Sequence, residues 1–418
     1  MTSSSNRKPR ILFVSPHSLH RMTGASELRA VQTARALRMM GEVTTVVVDS
    51  EGRAQEWEAL PDPEFKLAQR FAVENFPNAT AVQKVRWLWD GRMPYPHGTG
   101  VNMEGLAKLE RLAQEHDVLW FCKLRNANQF PRWSWPRSVA DIDDVPSTHA
   151  LSELQAAQGL KGRLQAWLRY QSWRRRDGLL NERFDVLGVC SEPDRQYLQR
   201  LKVTKPLHVI PNGFDAPKTE PVRLPAHPAR FGFIGIFDYA PNREGAEWFA
   251  RECWPLIKRE LPDARLRLVG RESDGPLKPS GPEIDGLGFV PDPAAEMATW
   301  TAMIVPIRTG AGTRGKIAHA FSAKCPVVST TLGAHGYGLT SGREALLADT
   351  AADFANACVK LARDLKLGQT MTQTAWRLFL QNWTWEAIRP RVWAAAEEVL
   401  RKNLEGSPST QNPTPQAG

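Results

Sequence analysis

The hydrophobic positions in the first half of the chain form short buried runs, separated by longer stretches with helical spacing. Residues 11–14 and 43–48 predict strands, and residues 27–40 between them predict a helix that ends before Gly41. Further strands are predicted at 117–121, 139–142 and 186–190. A helical stretch rich in Trp and Arg, residues 151–177, precedes the last of these strands. Short buried strands that alternate with helices predict a parallel sheet.

The same pattern starts again after a break in the middle of the chain. Residues 211–213, Pro-Asn-Gly, are a turn signal, and the proline-rich passage 217–228 predicts an interdomain linker. Beyond it, strands are predicted at 231–235, 266–269, 303–306 and 326–329, with a helix over 242–261. We therefore predict an α/β protein with two doubly wound domains, a late helix and a disordered tail, at 1–216, 217–384, 385–405 and 406–418.

Composition narrows the class of protein. A chain of 418 residues with 42% hydrophobic and 24% charged residues is typical of a globular protein with two domains. The five cysteines are scattered without a CxxC pair, which favours a reducing compartment. Because no signal-peptide core follows the basic residues 7–10 and no run approaches the length of a membrane span, we expect a cytoplasmic protein. The net charge of +9 comes without a nucleic-acid-binding module, so we expect no nucleic-acid partner.

The most informative stretch runs from a predicted strand through a glycine-rich loop into a helix, over residues 302–316. Gly310, Gly312 and Gly315 let the backbone approach an anion, and a helix N-terminus offers free N–H donors. Arg314 and Lys316 oppose the helix dipole there, which a bound anion would explain. The loop predicts a phosphate site, with a merely flexible turn as the alternative. It has neither the Walker spacing nor a GxGxxG after the first strand, which argues against kinases and dehydrogenases.

The second half resembles family 4 of the glycosyltransferases, especially the bacterial branch that builds surface polysaccharides. The matching fragments are 209–215 (VIPNGFD), 233–235 (FIG) with 241–242 (PN), 254–257 (WPLI), 268–270 (LVG), 288–292 (GFVPD), 310–316 (GAGTRGK) and 326–330 (PVVST). The resemblance implies the GT-B fold, in which two Rossmann-like domains face a central cleft. It also implies that the second domain binds a nucleotide sugar, that the first binds the acceptor, and that the last helix crosses back to the first domain.

The same resemblance implies the site. The diphosphate would be bound by the glycine-rich loop, the base by Val290 and nearby backbone, and the donor would be faced across the cleft by the turn that contains Gly24. The implied donor-binding residues are Gly24, Gly235, Asn242, Gly270, Val290, Gly310, Gly312, Thr313, Arg314, Lys316 and His319. Asn242 has an alternative role as a helix N-cap.

This sequence departs from the family at two positions. The family often has a Glu-x7-Glu pair where this chain has Ala311 and His319, and the second Glu typically contacts the ribose. The His319 imidazole can also hydrogen-bond a ribose hydroxyl, and a surface-helix histidine with no ligand is the alternative.

Asp144 stands near the place of the family's acceptor-side histidine, at the end of the strand predicted at 139–142. Carboxylates at the carboxyl edge of a parallel sheet lie where ligands bind in such folds. Asp144 would orient or deprotonate an acceptor hydroxyl; the alternative is a solvated turn that caps the next helix. The family implies a retaining reaction in which Arg314 and Lys316 stabilise the departing diphosphate, with no metal site and no cofactor besides the nucleotide-sugar co-substrate.

Residues 163–176 form a basic, aromatic stretch in the first domain. If helical, the stretch could lie on anionic lipid at the inner membrane and meet a lipid-linked acceptor; interdomain packing with a solvated basic face is the alternative. We predict a hexosyltransferase of bacterial polysaccharide biosynthesis that acts on a glycan or glycolipid. The alternatives are a catalytically inactive GT-B protein that serves as a binding or regulatory subunit, and a GT-B nucleotide-sugar epimerase.

Overall fold

A computed structural model describes residues 7–19, 25–49, 64–75, 81–93, 99–276, 279, 281, 283–310 and 312–405. In these residues the first parallel sheet consists of β1 (Arg10–Ser15), β2 (Glu42–Asp49), β3 (Lys66–Ala72), β6 (Val118–Cys122), β7 (Ser138–Asp141), β8 (Val186–Val189) and β9 (Leu207–Val209). Their order is β3-β2-β1-β6-β7-β8-β9. A short antiparallel pair, β4 (Glu74–Asn75) and β5 (Thr99–Gly100), lies outside this sheet.

The second sheet is also parallel. Its strands are β10 (Arg230–Ile234), β11 (Arg265–Val269), β12 (Ile284–Gly286), β13 (Ala302–Val305), β14 (Val327–Ser329) and β15 (Leu346–Leu347). They lie in the order β12-β11-β10-β13-β14-β15. The strands from β10 to β12 therefore extend the sheet to one side and those from β13 to β15 extend it to the other, with the switch point between β10 and β13. Two doubly wound α/β sheets were predicted, and this fold class is confirmed.

Helices cover the sheets. They are α1 (Ala25–Met40), α2 (Ala81–Trp89), α3 (Met103–Gln114), α4 (Leu124–Ala127), α5 (Pro146–Ala156), α6 (Gly159–Gly178), α7 (Glu192–Arg200), α8 (Ala240–Trp248), α9 (Trp254–Glu260), α10 (Pro293–Ala298), α11 (Gly315–Ser322), α12 (Ala351–Arg363), α13 (Leu365–Asn382) and α14 (Trp385–Glu405). In the described part of the chain, none combines the length and apolar character that a bilayer crossing requires.

Two stretches that were each predicted as one helix are divided in the structure. The stretch 151–177 is divided between α5 and α6, because the chain is extended at Ala157 and Gln158 and Gly159 takes a positive φ of 69°. The predicted helix 242–261 is interrupted by a wider π-helical turn, Phe249–Cys253, that separates α8 from α9. The tail predicted from 406 lies outside the described residues.

The run of apolar residues in β1 is continuous because both faces of the first sheet are covered. Leu12 and Val14 point into the core on one face, whereas Ile11 and Phe13 belong to the core on the other. The second of these cores also contains Ile388 from α14 at the end of the chain. The indole N–H of Trp393 donates to the carbonyl oxygen of Ala36 at 2.7 Å, so α14 packs on the first sheet and α1.

Candidate functional site

Loops that follow the strands of both sheets meet between the two domains. The Gly310 N–H, after β13, donates to the Ser152 hydroxyl of α5 at 2.8 Å. Asn212, after β9, donates its side-chain N–H to the Thr313 hydroxyl at 3.0 Å. Ligands in open α/β sheets bind at the carboxyl ends of the strands, and here both sheets present that edge to one cleft.

The glycine-rich loop takes a conformation that favours glycine at two of its positions. Gly310 and Gly312 have φ values of 93° and 80°, in the left-handed region. A Cβ atom built on Gly312 would lie 1.8 Å from Oδ1 of Asp144, which belongs to the other domain. The absence of a side chain at Gly312 therefore lets a carboxylate approach the loop backbone closely.

Arg314 and Lys316 lie at the start of α11, which follows this loop. The Arg314 guanidinium donates to the carbonyl oxygen of Gly312, and Lys316 Nζ donates to Oδ1 of Asn242 at 2.6 Å. Lys316 Nζ also lies 4.6 Å from the centre of the Phe233 ring. Burial lowers the pKa of Lys316 to about 7, and the nearby Arg314 charge lowers it further in the same direction. A bound anion would offset this penalty.

Asn242 holds Lys316 in place. Its side chain donates to the carbonyl oxygen of Ile236 at 2.9 Å while its own carbonyl oxygen accepts from Lys316. The N-cap residue of α8 is Tyr239, so the predicted N-cap alternative for Asn242 is wrong. Gly235 leaves room for the amide, since a Cβ atom there would lie 2.8 Å from Asn242 Nδ2.

The loops after β10, β11 and β12 are joined by main-chain hydrogen bonds. The Gly235 N–H donates to Val269 at 2.9 Å, and the Gly270 N–H donates to Gly288 at 2.8 Å. Gly270 has a φ of 117°, and a Cβ atom on it would lie 2.0 Å from the Gly235 carbonyl oxygen. Val290 follows this junction and is partly buried. Gly24 lies outside the described residues.

His319 packs against the domain junction. Its ring is stacked on Phe214 with centroids 4.3 Å apart and an angle of 21° between the planes. Burial lowers the pKa of His319 to about 4, so the imidazole is neutral near physiological pH. Phe214 covers one face of the ring, so His319 is packed at the domain junction and is not a freely exposed side chain. A neutral imidazole still offers one donor and one acceptor.

Asp144 follows β7 in a strained segment. Asp143 and Lys123 have φ values of 62° and 72°, and their side chains form an ion pair of 2.9 Å. The Cys190 thiol donates to Asp143 Oδ1 at 3.1 Å. Although it is reached by solvent in the cleft, Asp144 is largely surrounded by protein, which raises its pKa to about 6, and the neighbouring Asp143 charge adds to the effect. The N-cap residue of α5 is Val145, so the helix-cap alternative for Asp144 is wrong.

One buried ion pair beneath the cleft was not predicted from the sequence. Arg29 of α1 pairs with Asp141 at 2.6 Å, and both side chains are almost fully buried. Arg29 also donates to the carbonyl oxygen of Ile210 at 2.9 Å and to Oδ1 of Asn212 at 3.1 Å. The pair thus fixes the segment that carries Asn212 to the second domain. Asn212 lies in the fragment 209–215 that resembles the family, whereas no sequence pattern near Arg29 indicated its role.

Two cavities flank the junction of Asp144 and Gly312. One of about 320 Å³ lies between α5, α7 and the glycine-rich loop, and its polar lining includes Asp194, Arg200, Arg308 and His335. The other, of about 300 Å³, lies on the first-domain side and is lined by residues that include Lys123, Asp144, Arg169 and Trp173. Across the described ranges, no group of three or more His, Cys, Asp or Glu side chains is arranged to hold a metal ion.

Parts of the chain are similar in sequence to known proteins. The family described as "Glycosyl transferases group 1" matches residues 228–364, which contain the second sheet and the glycine-rich loop. An uncharacterized 44.6 kDa protein in the cps region of Klebsiella pneumoniae is 24% identical over 161 residues, which are 36% of this chain and 42% of the relative. The chain therefore spans less than half the length of that relative.

Solved structures extend the similarity to nearly the whole chain. Sucrose-phosphate synthase from Thermosynechococcus elongatus superimposes with a TM-score of 0.66 at 15% identity, over 94% of this chain and 100% of that one. Alr3699/HepE of Anabaena, solved with UDP-glucose, gives a TM-score of 0.60 at 14% identity, over 93% and 99%. The whole chain has the fold of these GT-B structures, and its second domain is similar to the group 1 glycosyl transferases over residues 228–364.

Proposed function

We propose that the protein is a retaining hexosyltransferase that moves a hexose from a nucleotide sugar to a glycan or glycolipid acceptor in bacterial polysaccharide biosynthesis. The observation that carries the proposal is the approach of Asp144, from the first domain, to the glycine-rich loop that bears Arg314 and Lys316. The relative in a cps region supports a role in surface polysaccharide. The proposed location is the cytoplasm, with peripheral contact at the inner membrane through residues 163–176.

The loop would bind the donor diphosphate. Main-chain N–H groups of the loop and of the first turn of α11, the Thr313 hydroxyl, and the Arg314 and Lys316 side chains would contact its phosphates, close to the point where Asp144 approaches Gly312. The backbone near Gly270 and Val290 would hold the base. His319, neutral and half-buried, would hydrogen-bond the ribose, and Gly24 would face the donor from the first domain.

The reaction needs no cofactor besides the nucleotide-sugar co-substrate. As the bond between the anomeric carbon and the phosphate oxygen breaks, negative charge grows on the diphosphate, and Arg314 and Lys316 stabilise it. The leaving oxygen takes the proton of the acceptor hydroxyl, which attacks the same face of the sugar and so retains its configuration. Asp144 would orient that hydroxyl, since it lies between the loop and the cavity of the first domain.

The test is calorimetric titration of a panel of nucleoside diphosphates and nucleotide sugars. Saturable binding to the wild type that is lost in Arg314→Ala/Lys316→Ala supports the donor site and identifies the base. Arg259→Ala/Lys360→Ala is the matched control, because both side chains are exposed and lie outside the glycine-rich loop. They belong to α9 and α12, whose C-terminal ends are joined by the Arg363–Glu260 ion pair. Absence of binding to every member of the panel would overturn the proposal.

A catalytically inactive GT-B protein is the second candidate, because Ala311 and His319 replace the glutamates of the family. The stacking of His319 on Phe214 gives that residue a packing role that requires no substrate. Binding of a nucleotide sugar without transfer to any acceptor or to water favours this candidate. An epimerase would instead change the sugar in the absence of an acceptor, which product analysis detects.

A further inference from the structure

Tyr239 lies in the turn between β10 and α8, next to the glycine-rich loop. Its main-chain N–H donates to the carbonyl oxygen of Ile236 at 3.3 Å. Its own carbonyl oxygen accepts from the main-chain N–H groups of Asn242 at 3.0 Å and Arg243 at 3.2 Å, at the start of α8. The main chain of Tyr239 is thus fixed, whereas its side chain is 52% exposed.

The Tyr239 hydroxyl and the Arg314 guanidinium approach the same point of the loop. A Cβ atom built on Gly310 would lie 3.5 Å from Nη2 of Arg314 and 3.7 Å from the Tyr239 hydroxyl oxygen. Because Gly310 has no side chain, nothing of this residue stands between the two groups. Two hydrogen-bond donors therefore border one small region beside Gly310.

The Tyr239 hydroxyl is not used inside the protein. Its oxygen takes part in no hydrogen bond with any residue that the structure describes. Tyr337 differs, since its side chain is buried and its hydroxyl donates to the Arg314 carbonyl oxygen at 3.0 Å. Tyr337 thus supports the main chain at the start of α11, and Tyr239 offers its donor to a ligand.

A neutral donor suits an anion at this position. Lys316, which Asn242 holds from the same turn as Tyr239, is already close enough to Arg314 for the Arg314 charge to lower the Lys316 pKa. A hydroxyl adds a hydrogen-bond donor without adding to this repulsion. Hydrogen bonds from O–H groups to anionic oxygens are short and stronger than those between neutral groups.

The region beside Gly310 lies at the end of the loop that faces the first domain. The Gly310 N–H donates to the Ser152 hydroxyl of α5 at 2.8 Å. In the proposed donor complex the base lies at the opposite end, near Gly270 and Val290. Because the sugar has to meet an acceptor on the first domain, the phosphate that carries the sugar is the one nearest to Gly310.

We propose that the Tyr239 hydroxyl donates a hydrogen bond to the sugar-linked phosphate of the donor and is a further catalytic residue. This inference rests on the proposed transferase function. When the bond from the anomeric carbon breaks, its electron pair stays on the phosphate oxygen, and the hydroxyl stabilises that charge together with Arg314 and Lys316. The leaving oxygen takes the acceptor proton, and Tyr239 keeps its own.

The test compares a nucleoside diphosphate with the monophosphate of the same base. Tyr239→Phe keeps the ring and removes the hydroxyl alone. We expect the diphosphate affinity, measured by calorimetry, to fall about tenfold or more, since a hydrogen bond to a charged group is lost. The monophosphate affinity, measured by ligand-detected NMR because it is weak, should equal that of the wild type. During turnover, kcat should fall by a larger factor than KM rises, because charge grows on this phosphate in the transition state.

Two other tyrosines provide controls. Tyr170→Phe, on α6 of the first domain and outside the lining of both cavities, should bind both ligands like the wild type. Tyr337→Phe should lower the midpoint of thermal unfolding, because it removes a buried hydrogen bond. Tyr239→Phe should leave that midpoint unchanged.

The possible outcomes separate this inference from the proposed function. Diphosphate binding as in the wild type, or equal loss of both ligands, would reject the role of Tyr239 and leave the donor site in place. Equal loss of both ligands with a lowered unfolding midpoint would assign the hydroxyl a structural role instead. If the wild type binds no diphosphate at all, the transferase function is rejected and the role of Tyr239 with it.

Discussion

At the scale of single residues, Gly312 and Gly315 lie three positions apart in the loop and have very different surroundings. Gly312 has a positive φ and faces the Asp144 carboxylate, whereas a Cβ atom on Gly315 would meet nothing within 4 Å. We expect Gly312→Ala to cost about 1–2 kcal/mol of stability, because a side chain disfavours the left-handed conformation, and to abolish nucleotide binding.

Gly315→Ala is the matched control and should change stability by less than about 0.5 kcal/mol. Thermal unfolding and calorimetric titration measure both effects. Adding Asp144→Ala to Gly312→Ala should remove the clash but leave the backbone cost. Equal behaviour of the two glycine variants would contradict the role given to Gly312.

Lys316 gives the donor site a pH dependence. Its pKa of about 7 in the free protein means that the ammonium is partly deprotonated near neutral pH. A bound diphosphate favours the charged form and raises the pKa, so binding takes up a proton. We expect the affinity for a nucleotide sugar to be highest below pH 7 and to fall as the pH rises through the pKa of the free protein.

Calorimetry in buffers of different ionisation enthalpy counts the proton taken up. Lys316→Met should bind more weakly and lose this pH dependence, while Lys360→Met, on an exposed part of α12, should keep it. A nucleotide sugar is the appropriate ligand because its bridging diphosphate has no ionisation near neutral pH. Retention of the proton uptake in Lys316→Met would assign it to another group, such as Asp144.

At the scale of elements, the Arg29–Asp141 pair connects α1, the end of β7 and the segment after β9. Removing one partner of a buried pair leaves an uncompensated charge, so Arg29→Met should destabilise the protein by about 3–5 kcal/mol. Arg29→Met/Asp141→Leu should recover most of the loss, since neither charge then remains buried. Urea unfolding measures both, with Arg401→Met, from an exposed ion pair on α14, as a control that changes little.

Elements with a clear pattern of apolar residues could be predicted from the sequence, and contacts between distant segments could not. The runs at 11–14 and 43–48 correspond to β1 and β2, because strands buried on both faces are continuously apolar. The π-helical turn at Phe249–Cys253 ends just before Trp254 and Pro255; this proline, inside the predicted helix 242–261, cannot donate a main-chain hydrogen bond and was a signal for the interruption. The partners of Asp144 and Arg29 depend on loops brought together by the sheets, which spacing along the chain does not encode.

At the scale of the whole molecule, the two domains are connected both by the linker and by α14. Ile388 of α14 is buried in a core whose other members come mainly from the first 210 residues. We expect Ile388→Ala to cost about 2–5 kcal/mol, through the cavity that it leaves. Hydrogen exchange should show the loss of protection in β1 and β8, which pack on that side of the sheet, and not in β10 or β13.

Glu397→Ala, an exposed change on the same helix, is the matched control. It should leave exchange in both sheets as in the wild type. Loss of protection confined to α14 itself would mean that the first sheet is stable without this helix. Equal loss in the two sheets would instead mean that the domains unfold as one cooperative unit.

The return of α14 to the first sheet also has a consequence for biosynthesis. When β9 leaves the ribosome, the face of the sheet that α14 covers has no partner, and it stays uncovered while roughly 200 more residues are synthesised. At about 5–20 residues per second this interval lasts on the order of 10–40 s. A nascent chain of this protein therefore carries an exposed apolar surface throughout the translation of its second domain, and that surface is where a ribosome-associated chaperone would bind.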